Sequence, residues 1–328
     1  MIVSKTPFRI TLGGGGTDLP SYYENHKGFL ISTAINRYVY VAVNSRFEGN
    51  IRFSYSKTEI VDSVDQLEHP IAREALRLLN IDGGIEIVSI SDLPAGSGLG
   101  SSGAFTVGLL NALHVYRGEF LSPRELAEEA FHLEAEILGE PVGKQDQYIA
   151  AYGGAITLEI ETSGSVTVVS NVLPKLTIEK LKRSLLFLYT GKQRRASDIL
   201  RDQGHAAASN DGSVLQCMHE IKKIGRESLA RLCQGDMDWF GRSLDRHWQI
   251  KKNISTRMSN SKMNEWYEIA KKEGALGGKI MGAGGGGFFM FCVLENRSQF
   301  LEAMIRNGLI KCDFSIESEG SKVLVDLK

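Results

Sequence analysis

Between residues 85 and 115 the chain passes from a β-branched run, Ile85 to Ile90, through Asp92-Leu-Pro-Ala-Gly-Ser-Gly-Leu-Gly-Ser-Ser-Gly103 into an apolar stretch, Ala104 to Val115. The first run reads as a strand and the last as a helix, so the segment between them is a tight turn feeding a helix amino terminus. In such a turn successive backbone N–H groups can converge on one anion, and the helix dipole adds partial positive charge. Gly96 to Ser102 therefore reads as a phosphate site. Three familiar nucleotide motifs do not fit. No lysine precedes Ser101 or Ser102, as a Walker A loop requires. Gly98-Leu-Gly100-Ser-Ser-Gly103 has dinucleotide spacing, but a second helix follows it where that fold needs a parallel strand ending in an acidic residue. The H-R-D and D-F-G signatures of protein kinases occur nowhere in the chain.

Glycine is the compositional outlier, with 35 residues of which many fall in three clusters: Gly13 to Gly16, Gly96 to Gly103 and Gly282 to Gly287. Before the first cluster, Ile2 to Leu12 alternates like a strand, and Thr17-Asp18-Leu-Pro20 after it can cap a short helix. Strand patterns recur at Gly28 to Ile35, Val39 to Asn44 and Ile51 to Tyr55, and Pro70 to Leu79 reads as a helix. Ser122-Pro-Arg-Glu125 is a capping box opening a helix that runs to Leu138. Two strands, Ala155 to Ile160 and Val166 to Val169, follow, whereas Asp198 to Lys272 is nearly all helical in pattern. That shift predicts an α+β protein of two domains divided near Pro174 to Arg183, as 1–178 and 179–328. The third glycine cluster lies between strands Lys279 to Met281 and Phe288 to Leu294.

Lysine plus arginine total 38 against 39 acidic residues, so no global field exists to gather nucleic acid or anionic lipid. The four cysteines lack paired spacing and sit in apolar surroundings, as reduced core thiols do. Met1-Ile-Val-Ser-Lys-Thr-Pro has no secretory pattern and no run is long enough to span a bilayer, so a soluble, cytoplasmic protein is expected. The oligomeric state stays open, a homo-oligomer included.

Two carboxylates stand out. Glu134 falls by i+3 and i+4 spacing on the face of the Ser122 helix that carries Ala127, Ala130, Phe131 and Leu138. A charge there needs a partner, and magnesium reached jointly with a serine hydroxyl and phosphates is one; a boundary glutamate that escapes to solvent or to a basic residue is the other reading. Asp146 follows the Pro141-Val-Gly143 turn in a polar segment where it could meet a substrate hydroxyl or simply cap a helix. Thr17 and Asp18 could bond sugar hydroxyls, with Arg9 on the strand before them, or could serve only their own turn.

Taken in order, these segments resemble the GHMP kinase superfamily of galactokinase, homoserine, mevalonate and phosphomevalonate kinases. Pro94-Ala-Gly-Ser-Gly-Leu-Gly-Ser-Ser-Gly-Ala resembles its ATP motif, Lys279-Ile-Met-Gly-Ala-Gly-Gly-Gly-Gly its carboxy-terminal glycine motif, and Arg9 to Asp18 its amino-terminal substrate motif. Within it, Gly13-Gly-Gly-Gly-Thr-Asp-Leu-Pro, Lys144-Gln-Asp-Gln-Tyr, Tyr189-Thr-Gly with Arg195-Ala-Ser, and Lys251-Lys-Asn-Ile-Ser look like the heptose 7-phosphate kinases. Gly14-Gly15-Gly16 stands where galactokinases carry Gly-Glu-His, which argues against galactose, and fucose-type kinases are the nearest rival.

The resemblance implies a ribosomal S5 domain 2-like amino-terminal domain, a ferredoxin-like carboxy-terminal one and a cleft between them. It implies ATP and Mg2+ as cofactors, with Pro94, Gly96, Ser97, Gly98, Leu99, Gly100, Ser101 and Ser102 at the nucleotide and Ser102 with Glu134 at the metal. Asp146 would accept or orient the proton of the attacking hydroxyl, with Arg9 keeping it ionised and stabilising charge near the transferring phosphoryl group. Gly15, Gly16, Thr17 and Asp18 would bind the sugar, and Gly284 and Gly285 would close over it. A phosphate already on the substrate would need cations, for which Lys144 and Arg195 rank ahead of Arg194 and Lys251. The implied reaction is phosphorylation of the anomeric hydroxyl of heptose 7-phosphate to the 1,7-bisphosphate, on the route to nucleotide-activated heptose. A non-catalytic sugar-sensing relative and a nucleotide-dependent oxidoreductase resting on Gly98 to Gly103 are the readings from other classes.

Overall fold

A single 18-residue strand, β2 (Gly28–Ser45), organises the first half of the molecule. The structure is a computed structural model and describes residues 1–192 and 212–327. From Ile31 to Val43 β2 pairs with β1 (Ile2–Gly13); on its other side its first part pairs with β6 (Ala155–Ile160) and its last part with β5 (Ile85–Ser91). The sequence reads β2 as two strands because the pattern breaks at Asn36-Arg37. The break is a bulge: the register with β1 shifts between Pro7 and Phe8, which face Tyr38 and Ile35. Asn36 there turns outward to bond residue 315, its backbone N–H donating to the Ser315 carbonyl at 2.9 Å.

The sheet continues through β3 (Ile51–Ser54) and β4 (Thr58–Val61) beyond β5, and through β7 (Val166–Ser170) beyond β6. Its other edge is β12 (Lys322–Asp326), antiparallel to β1. Helix α1 (Pro20–His26) follows the first glycine turn, but Leu19 is its N-cap, so Thr17 and Asp18 do not cap it as the sequence suggests. Against the sheet lies α3 (Ser101–Arg117), buried almost all round from Gly103 to Val115, as a central helix with no polar face requires. Helix α2 (Pro70–Leu78) packs beside it. Helix α4 (Pro123–Phe131) opens on the expected capping box, with Ser122 accepting from the Glu125 N–H. Its continuation, His132–Ile137, is π-helical instead of α-helical. The polar segment after it is α5 (Gln145–Tyr152).

Helix α6 (Lys175–Ser184) leads to a second, antiparallel sheet ordered β11 (Ile310–Cys312), β8 (Leu185–Tyr189), β10 (Phe288–Cys292), β9 (Gly277–Ile280). Trp248, Trp266, Tyr267, Phe289, Phe291 and Phe300 form its core. They come from α8 (Met237–Lys252), α9 (Ser261–Lys272), α10 (Arg297–Arg306) and β10. Helix α7 (Gly212–Cys233) crosses back to touch β1 and β2. Among the described residues no helix is long and apolar enough to cross a membrane.

Candidate active site

The turn before α3 carries glycines at alternate positions, Gly96, Gly98 and Gly100, all with φ between 71° and 82°. A side chain is disfavoured in that left-handed region. At Gly98 it is also blocked, since a Cβ would lie 2.6 Å from the Met281 carbonyl oxygen. The residues between the glycines point inward: Ser97 and Leu99 are fully buried, so the side chains of these two expected nucleotide residues are closed to the cleft. Pro94, Gly96, Gly98, Gly100, Ser101 and Ser102 line a cleft of about 1110 Å³.

Arg9 ties this turn to Asp146. Its Nε donates to Asp146 Oδ1 at 2.7 Å, its Nη1 to the Gly98 carbonyl at 2.8 Å, and its backbone N–H to the Leu99 carbonyl at 3.0 Å. Arg9 is buried while the Asp146 side chain keeps 28% of its surface exposed, so the carboxylate is open and its clamp is not. Gly103 makes this possible: a Cβ there would lie 2.7 Å from the Asp146 Cβ. The first turn of α5 thereby rests against the first turn of α3.

One residue before Gly103 on α3, the Ser102 hydroxyl donates to Glu134. Gln147 Nε2 donates to the other carboxylate oxygen at 3.0 Å. The π-helical turn brings Glu134 inward, to 1% exposure, and no cation pairs with it among the described residues. Burial, with the Asp146 charge adding to it, pushes its carboxyl up to about 7. A buried carboxylate and a hydroxyl, side by side at a phosphate-binding turn, are the hard oxygen donors that magnesium takes. The residues present fit that ion.

At the other wall Gly15, Gly16 and Asp18 line the cleft. Asp18 accepts from the Gly16 N–H at 2.9 Å and the Gln145 N–H at 3.1 Å. Burial, and then Asp146, raise its carboxyl above the usual range. Thr17 is placed differently from the sequence reading. It is fully buried, and its hydroxyl bonds the Gly14 and Phe29 carbonyls, both at 2.8 Å, so it holds the turn and leaves nothing for a sugar. Lys144 is also corrected: its ammonium is buried, bonds both Glu128 carboxylate oxygens at 2.9 and 2.7 Å, and lies over the Phe131 ring. Gly284 and Gly285 face Met258, with the Gly285 N–H donating to its carbonyl at 2.7 Å; Gly282 and Ala283 line the cleft in their place. Arg194 and Arg195 lie outside the described residues. Lys251 lines the cleft and donates to the Gly282 carbonyl.

Gln145, His247 and Lys279 are among the polar lining residues that the sequence reading does not name as site candidates. Gln145 accepts from the Thr11 hydroxyl at 2.5 Å. Lys279 had a visible signal, a charge inside an apolar strand, the argument that singles out Glu134.

A glycine turn on a helix amino terminus, a serine–glutamate pair and an arginine-clamped aspartate in one cleft define a small-molecule phosphotransferase. The chain belongs to the GHMP kinases: the description "GHMP kinases N terminal domain" matches residues 67–154, and "GHMP kinases C terminal" matches residues 227–310. It is a sugar kinase with the two-domain fold of that family. It is 30% identical, over 98% of both chains, to a D-glycero-alpha-D-manno-heptose 7-phosphate kinase of Campylobacter jejuni. A solved D-glycero-D-manno-heptose 1-phosphate kinase from Bacteriodes thetaiotaomicron superposes with TM-score 0.83 at 25% identity, covering all of both chains. An L-fucokinase/L-fucose-1-P guanylyltransferase of Bacteroides fragilis is 26% identical over 88% of this chain and 34% of that longer protein.

Proposed function

We propose that this enzyme transfers the γ-phosphoryl group of ATP to the anomeric hydroxyl of D-glycero-D-manno-heptose 7-phosphate, giving the 1,7-bisphosphate for nucleotide-activated heptose synthesis in the cytoplasm. The reading rests on one arrangement: Asp146, clamped by Arg9 at 2.7 Å, lies against the first turn of α3 beside Ser102 and Glu134. The choice of heptose rests on the Campylobacter jejuni relative.

In this mechanism the amides of Gly96 to Ser102 hold the triphosphate, and the apolar end of the cleft at Tyr55, Ile71, Leu93 and Phe105 receives the base. Ser102 and Glu134 would hold magnesium, which neutralises charge on the β- and γ-phosphates. Gly15, Gly16 and Asp18 orient the sugar. Asp146 takes the proton from the acceptor hydroxyl as its oxygen bonds the γ-phosphorus; the bond from that phosphorus to the β,γ-bridging oxygen breaks and ADP leaves. Arg9 stabilises the charge that develops beside it. A fucose-type 1-kinase, favoured by the Bacteroides fragilis likeness, is the second reading.

ADP release with a panel of heptose 7-phosphate, mannose, fucose and galactose tests the substrate. Turnover is expected on heptose 7-phosphate, and a preference for fucose supports the second reading instead. Asp146→Asn is expected to lower kcat by a factor on the order of 10²–10⁴ while ATP still binds. Turnover near wild type would remove Asp146 from the chemistry.

A further inference from the structure

On the carboxy-terminal wall of the cleft, opposite the clamped aspartate, stands a group of basic side chains that the mechanism above leaves unused. Lys279 projects from β9, and His247 and Lys251 from α8, which packs across that strand. All three line the cleft. Lys279 is 3% exposed and His247 2%. Among the described residues the Lys279 ammonium has one hydrogen-bond partner, His247 Nδ1 at 3.4 Å, and no carboxylate pairs with it.

That is an unusual state for a lysine. A buried ammonium is ordinarily paired, because leaving it without counter-charge costs several kcal/mol. The charges acting on Lys279 are instead both positive, Lys251 from α8 and Arg9 from β1. Burial and these cations drive Lys279 well below the ordinary lysine range, and burial with Lys279 and Lys251 drives His247 below its own. The nearest acidic group on Arg9 is Asp146, already held by that guanidinium. Among the described residues the Lys279–His247 pair therefore has no counter-charge, and it lines the cleft.

We propose that Lys279, with His247 and Lys251, forms the receiving site for a phosphate monoester carried by the acceptor; this rests on the kinase reading and names the part of the cleft that recognises a sugar already phosphorylated. Lys144, one of the two first-ranked cations in the sequence, is closed off by Glu128, and Arg195, the other, lies outside the described residues. A dianionic ester entering here supplies the counter-charge the pair lacks and holds Lys279 as an ammonium. The glycine turn after β9 fixes the wall to the nucleotide side. A Cβ on Gly282 would lie 2.7 Å from the Gly98 Cα, and Lys251 bonds the Gly282 carbonyl. The basic wall and the nucleotide turn are thus joined where Gly282 meets Gly98.

The test uses the whole enzyme saturated with a non-hydrolysable ATP analogue and magnesium, so that the donor site is filled. Inorganic phosphate titrated calorimetrically is expected to bind wild type and to lose at least tenfold in affinity in Lys279→Met. Equal affinity in the two proteins, or no phosphate binding to nucleotide-saturated wild type, overturns the proposal. In steady-state assays with heptose 7-phosphate, Lys279→Met is expected to raise the acceptor KM at least tenfold with the ATP KM changed less than twofold. A parallel rise in the ATP KM would assign the lysine to the donor phosphates and overturn the proposal. If wild type phosphorylates no sugar phosphate at all, the heptose reading fails, and the phosphate titration still decides this one. Should Lys279→Met fail to fold, Lys251→Met on the same wall carries the titration, with the same expected loss and the same contradiction.

Discussion

Arg9 touches three things at once: the carbonyls of Gly98 and Leu99 and the carboxylate of Asp146. One residue thus fixes the distance between the glycine turn and the Asp146 carboxylate. Glu134 is the other residue whose surroundings make a strong prediction. Its carboxyl ordinarily titrates near 4.5 and is pushed up to about 7 by burial. Below pH 4.5 it is protonated in folded and unfolded chains alike. Between 4.5 and about 7 the folded chain keeps the extra proton, so stability falls as pH rises through that window. Without nucleotide or divalent cation, wild type should lose on the order of 3 kcal/mol relative to Glu134→Gln across it, measured by denaturant unfolding. Parallel pH profiles for the two proteins would contradict the assignment. The burial of Glu134 was legible in the sequence as a carboxylate on an apolar helix face, whereas the position of Asp146 after a turn left a helix cap equally open until the fold set it beside Arg9. Thr17 and Lys144 were misread for the converse reason: the Gly14 and Phe29 carbonyls and Glu128 that occupy them are supplied by the fold.

At the level of elements, α3 and α5 meet at Gly103, and the meeting explains a residue that helix propensity alone would replace. Alanine is favoured over glycine inside a helix by up to about 1 kcal/mol. Here its Cβ would lie 2.7 Å from the Asp146 Cβ, and overpacking of that kind costs roughly 1–3 kcal/mol. The steric effect wins, so Gly103→Ala should lower the melting temperature and reduce kcat/KM at least tenfold by displacing Asp146. A higher melting temperature with full activity would show that the two helices can part without consequence. The strand, turn and helix around residue 96 were readable because local chemistry decides them. The bulge that joins two apparent strands into β2 and the π-helical turn at Glu134 were not, because each is imposed by partners distant in sequence.

Across the whole molecule, the two sheets follow the change from mixed to helical pattern that the sequence displays. The division expected at 178/179 falls inside α6, and β12 returns from the far end of the chain to pair with β1. We propose, therefore, that the first domain includes the carboxy-terminal strand. No local pattern could reveal that pairing, since the partners lie at opposite termini. The two halves also meet where Gly98 packs on Gly282, so the nucleotide turn has a backbone neighbour from the second half. The most direct measurement is a crystal structure with a non-hydrolysable ATP analogue and magnesium. The triphosphate should lie on the amides of Gly96 to Ser102, with its terminal phosphorus turned toward Asp146. A nucleotide bound elsewhere, or one whose terminal phosphate points away from that carboxylate, would contradict the account.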